Sequence, residues 1–110
     1  MLPKITNILN MQSDDSGKEQ VKPLLTSPAL TLEQIVSNGE PSGNGFWYDQ
    51  EKAEWVALLR GGATLRFEGE GTMNLTPGDC LVIPAHVRHR VDFCSRDAVW
   101  LALHFEEKDA

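Results

Sequence analysis

Residues 76–93 read TPGDCLVIPAHVRHRVDF, and the order of breakers and apolar residues within them decides the architecture. Pro77 followed by Gly78 suits the two central positions of a type II turn, because proline presets a negative φ and glycine accepts the positive φ demanded next. Asp79 closes that turn. Cys80 to Ile83 is an apolar run too short for a helix and bounded by breakers, so it reads as a buried strand stopped by Pro84. His86 and His89 lie just beyond the stop, where two imidazoles could address one pocket.

Working outward, a chain of 110 residues with 41% hydrophobic content makes one domain that buries about two thirds of its unfolded surface. A formal net charge of −6 and scattered lysines and arginines argue against nucleic acid and anionic lipid as partners. No stretch has the length of an apolar membrane span, and the first residues lack a secretory signal pattern, so a cytoplasmic location is expected. Cys80 and Cys94 form neither a zinc pair nor a disulfide framework; both read as reduced, small apolar strand residues.

Residues 1–28 read as a flexible N-terminal arm and linker: an apolar patch at Ile5, Ile8 and Leu9, then a polar run, then Val21 to Leu25, which Pro23 limits to an edge strand. Residues 29–105 carry the domain and 106–110 a solvated tail. Ala29 to Ser37 is a strand, and residues 38–45, NGEPSGNG, form a loop. Gly61 and Gly62 separate Trp55–Arg60 from Ala63–Glu68 in the manner of a tight hairpin. Ala63, Leu65 and Phe67, then Met73 and Leu75, alternate with polar residues and mark a core face. The last strand, Ala98 to Phe105, is apolar on both faces apart from His104. About eight short strands with regular turns and no helix define an all-β sandwich or barrel.

The stretch GDCLVIPAHVRH resembles the second conserved motif of the cupin superfamily, with Gly78, Pro84 and His89 at the required spacings. His86 stands where that motif usually has glycine, and Phe93 where it usually has asparagine. Glu54 and Gly61 match the end of the first cupin motif, about fifteen residues upstream of the second. The resemblance covers roughly residues 29–105 and implies a single-domain jelly-roll β-barrel of the small bacterial kind.

In enzymatic cupins a His-x-His pair, the first-motif glutamate and the second-motif histidine hold a divalent metal. The resemblance therefore implies Glu54 and His89 as ligands to zinc, iron, manganese or nickel. The histidine pair is absent: one motif spacing puts Tyr48 and Gln50 in its place, the other Trp47 and Asp49. Oxygen donors such as Gln50 or Asp49 are poorer ligands than imidazole for these ions. His89 reads either as a ligand or as a core histidine paired with Glu54. His86 reads either as a third imidazole of the site or as a solvated turn residue. Tyr48 and Trp47 read as pocket lining, and His104 as barrel wall and a third histidine candidate.

Two functions follow from the resemblance. One is a metal-dependent enzyme acting on a polar small molecule, with Arg60, Arg66 or Arg88 available to steady a carboxylate. The other is a non-catalytic, ligand-binding or regulatory cupin. A homodimer is expected in either case.

Overall fold

A computed structural model describes residues 1–9, 18–42 and 45–107. Within them the chain forms eight strands and no helix. The strands are β1 (Gln20–Thr26), β2 (Leu30–Val36), β3 (Ala53–Arg60), β4 (Ala63–Phe67), β5 (Gly71–Leu75), β6 (Cys80–Ile83), β7 (His89–Cys94) and β8 (Val99–Phe105). They make a five-stranded sheet ordered β1-β2-β8-β3-β6 and a three-stranded sheet ordered β5-β4-β7, every pair antiparallel. This is an all-β jelly roll. Its core lies between the two sheets and is built from Val56, Leu58, Leu65, Leu75, Ile83, Cys94 and Trp100. The polar run expected to link the arm to the domain falls largely on residues 10–17, outside the described residues. Val21 to Leu25 does form the edge strand, β1, on one side of the larger sheet.

The Pro77-Gly78 turn has the expected form. Gly78 takes φ +95°, the Asp79 amide donates to the Thr76 carbonyl at 3.0 Å, and the Asp79 carboxylate accepts from the Thr76 amide at 2.8 Å. Its task is to move the chain between sheets, since β5 belongs to one and β6 to the other.

Three expectations need correction. Gly61 and Gly62 do not close a hairpin, because β3 and β4 lie in different sheets. The glycines instead form a crossover that runs beside the β7–β8 crossover: the Ser95 amide donates to the Gly62 carbonyl and the Gly62 amide to Ser95 Oγ, both at 2.9 Å. Gly61, at φ +81°, lies so close to Ser95, Asp97 and Ala98 that a Cβ there would come within 2.9 Å of the Ala98 Cα. Second, β6 is not a buried strand but the edge of its sheet; only Ile83 is buried, while Cys80 and Val82 are exposed. Of the two free cysteines, Cys94 alone has the buried setting expected of both. Third, Met73 is exposed although Leu75 beside it on the core face is buried, because β5 is also an edge.

Candidate functional site

Registered strand pairs share a face, so the pairing itself assembles the site. Thr31 on β2 lies opposite His104 on β8, His104 opposite Glu54 on β3, and Glu54 opposite Ile83 on β6. This row points toward the smaller sheet, as do Glu33 and Ile35 on β2 and Trp100 on β8. The three-stranded sheet answers with His89 at the start of β7. Together they enclose a cavity of about 260 Å³, whose polar lining is Glu19, Glu33, Tyr48, Gln50, Glu54, His89 and His104.

Four groups are joined in series by pairwise contacts. His104 Nε2 lies 3.0 Å from Glu33 Oε1 and 3.5 Å from Glu54 Oε2, and His89 Nε2 lies 3.8 Å from Glu54 Oε1. The Nδ1 of His89 is 2.8 Å from the Val87 carbonyl, an acceptor only, so Nδ1 carries a proton and Nε2 is the free nitrogen facing Glu54. His89 is buried and held between rings: Tyr48 stacks on it at 5.4 Å and Phe67 lies at 6.1 Å. Tyr48 is fixed in turn by two backbone hydrogen bonds with His89, at 2.7 and 3.2 Å.

Burial pushes the Glu54 carboxyl above its ordinary value; His104 and His89 pull it back, and Glu33 adds a further push upward. Glu19 is also raised, chiefly by burial and then by Glu40, Glu33 and Glu54. The Tyr48 phenol is raised by burial and by Glu19 and Glu54, against a hydrogen bond from Ser42 that lowers it. Among the described residues, none lining the cavity is a lysine or arginine.

The structure separates the residues singled out from sequence. Glu54, His89, Gln50 and Tyr48 line the cavity together; Asp49, Trp47 and His86 do not. The chain alternates through residues 47–50, so Tyr48 and Gln50 turn inward while Trp47 and Asp49 turn out. Trp47 packs under two guanidinium groups, with Arg90 4.6 Å and Arg88 5.8 Å from its ring centre. Asp49 pairs with the exposed His86 at 2.8 Å. His86 also takes φ +63°, the left-handed region, which gives a physical reason for the glycine usual at that position. Glu33 and Glu19 carry no signal in the sequence, whereas His104, read there as wall and as a third histidine candidate, lines the cavity. The inward setting of Glu33 shows only when β2 is paired with β8, because Leu32 and Val36 invite the opposite orientation.

A metal held by imidazole and carboxylate sits about 2.0–2.2 Å from each donor, so its ligands must surround one point. Here the acidic and imidazole groups contact one another in series, Glu33 to His104 to Glu54 to His89. Among the described residues, no group of three or more His, Cys, Asp or Glu side chains is arranged to hold an ion. As folded, the donors do not fit a metal centre.

A two-sheet jelly roll with a cavity between its sheets, lined by apolar side chains and by acidic and imidazole groups, defines the class. The chain belongs to the cupin family: the cupin domain model matches residues 33–104. No curated protein matches the sequence significantly. Among solved structures, the chain is similar to a protein of Ralstonia eutropha JMP134 named as a candidate mannose-6-phosphate isomerase, with 39% identity over 96% of this chain and 100% of that one and a TM-score of 0.89. KdgF from Halomonas sp. shares the fold at 23% identity, 94% of each chain covered and a TM-score of 0.72. A cupin superfamily protein of Desulfitobacterium hafniense DCB-2 does so at 17% identity, covering 96% of this chain and 95% of that one, with a TM-score of 0.76.

Proposed function

We propose that this cupin takes up a small, uncharged polyhydroxy molecule between its sheets, and that Glu54, flanked by His89 and His104, moves a proton on it. The observation that carries this reading is the Glu54 carboxylate set between two imidazole nitrogens at 3.8 and 3.5 Å. Neither distance is a tight hydrogen bond, so the carboxylate keeps acceptor capacity for a hydroxyl. A carboxyl raised by burial is a serviceable base nearer neutral pH, and a neighbouring imidazole can pass the proton on.

The lining also selects the ligand class. Glu19, Glu33 and Glu54 with no lining lysine or arginine repel a phosphate or carboxylate and favour hydrogen-bond donors. The volume holds roughly eight waters at about 30 Å³ each, enough for a sugar-sized molecule. The similarity to a candidate sugar-phosphate isomerase supports proton transfer on a sugar, whereas the acidic lining argues against the phosphate ester.

A second reading, binding without chemistry, is favoured by Tyr48 and Gln50 standing where the metal-binding pair of enzymatic cupins would be. Incubation of chelator-treated protein with aldoses and ketoses in deuterated water separates the two. Deuterium entering the carbon next to the carbonyl, and its loss in Glu54→Gln, supports proton transfer. Binding without exchange supports the second reading, and absence of binding to any uncharged sugar overturns both.

A further inference from the structure

A base that takes a proton from the carbon beside a carbonyl leaves charge on the carbonyl oxygen, so the reaction also needs an acid facing that oxygen. Around the cavity the carboxylates of Glu19, Glu33 and Glu54 accept, the free Nε2 of His89 accepts, and the Nε2 of His104 is occupied between Glu33 and Glu54. Among the carboxyl, imidazole, phenol and amide groups of the lining, Tyr48 and Gln50 are the neutral donors, and of those two only a phenol readily gives a proton to oxygen. Tyr48 is held at its backbone, its ring and its hydroxyl. Its backbone exchanges two hydrogen bonds with His89, its ring stacks on the His89 imidazole at 5.4 Å, and Phe46 packs edge-on against it at 4.8 Å. The hydroxyl is hydrogen-bonded to Ser42. Ser42 is itself pinned to β7: its amide donates to the Val91 carbonyl at 2.9 Å, and its Oγ accepts from the Val91 amide at 3.1 Å. That leaves the Ser42 proton to go to Tyr48, while the charges of Glu19 and Glu54 draw the phenolic proton into the cavity.

We propose that Tyr48 is the acid of the site, giving its hydroxyl proton to the carbonyl oxygen of an open-chain sugar while Glu54 takes the proton from the adjacent carbon, and that Ser42 is its positioning residue. This rests on the reading of Glu54 as the base. The electron pair of the broken C–H bond becomes the C=C bond of an enediol, and the carbonyl π pair takes up the phenolic proton. The phenolate left behind is held by the hydrogen bond from Ser42. In the return step the enediol hydroxyl gives its proton back to Tyr48, and Glu54 delivers a proton exchanged with solvent to the carbon. Both groups are restored, and no oxidant or second substrate is consumed.

Tyr48→Phe keeps the ring against His89 and removes only the hydroxyl. The test is kcat and KM for deuterium exchange into a hexose, with the hexose dissociation constant from calorimetry, in wild type, Tyr48→Phe, Ser42→Ala and Glu54→Gln. The expected result is a kcat lowered about 100-fold in Tyr48→Phe and about tenfold in Ser42→Ala, with hexose affinity weakened less than about fivefold in either. Tyr48 is the one tyrosine of the chain, so biosynthetic labelling with meta-fluorotyrosine gives a single fluorine resonance, which hexose should shift. Exchange at the wild-type rate in Tyr48→Phe, with Glu54→Gln inactive, overturns the role of Tyr48 and leaves Glu54 as base. A fluorine resonance unmoved at saturating hexose overturns it as well. A wild type that binds hexose without exchange, or a Glu54→Gln variant that exchanges normally, removes the reading of Glu54 and this inference with it.

Discussion

His89 Nε2 faces Glu54 Oε1 across 3.8 Å, each on a different sheet, so the two conserved-motif positions legible in the sequence meet only because the sheets pack. The gap is wider than a hydrogen bond, and the two groups act as neighbours through charge rather than as a locked pair.

The first prediction concerns pH. The Glu54 carboxyl is raised in the folded protein above its ordinary value of 4.5. An acid raised on folding contributes stability that is full below its unfolded pKa and lost as pH rises through the folded one. Glu54→Gln keeps the shape and removes that loss, so the variant should melt higher than wild type at neutral pH. The two should converge once the pH falls below the ordinary carboxylate value. A variant that melts lower at neutral pH would show that the imidazoles outweigh burial.

His89→Ala should lose the Nδ1 bond to Val87, the stacking on Tyr48 and the packing on Phe67, at a cost of about 2–4 kcal/mol. His86→Ala loses only an exposed pair with Asp49, worth about 0–1 kcal/mol. Chemical denaturation of both variants checks the difference, and equal costs would mean that the inward histidine has been misassigned.

The crossover between the sheets makes a third prediction. Gly61→Ala meets a positive φ, the Ala98 Cα and the Ser95 and Asp97 side chains, and should cost more than about 2 kcal/mol. Gly78→Ala meets a positive φ in open space and should cost about 1 kcal/mol. Midpoints of urea unfolding measure both. Equal losses would remove the role given to the close approach.

Thiol labelling gives a fourth. Cys80 is exposed on the β6 edge, whereas Cys94 is buried and donates to Ser37 Oγ at 3.1 Å. One thiol should react at once in the native protein and the second only on unfolding. Two fast thiols would place Cys94 at the surface.

These particulars show what the chain makes legible. The Thr76–Asp79 turn, the strand after it and the fold class could be read from proline, glycine and period-two alternation, because those signals are local. Which sheet a strand joins is not local, and for that reason Gly61-Gly62 looked like a hairpin and β6 looked buried. Glu54 and His89 were legible through motif spacing. Glu33 is hidden, and His104 legible only as a third histidine candidate, because their faces are set by pairing between β2, β8 and β3, strands far apart in sequence. On β2 the outward face is also the more apolar one, the reverse of the usual rule.

The central claim is a cavity that receives uncharged, hydroxyl-rich ligands through Glu54 and its flanking imidazoles without a metal. Calorimetric titration of chelator-treated protein with a hexose, and separately with its 6-phosphate ester, tests it most directly. The account predicts heat from the uncharged hexose, none from the ester, and loss of the signal in Glu54→Ala. Binding that appears only after a divalent metal is restored, or that favours the ester, would contradict it.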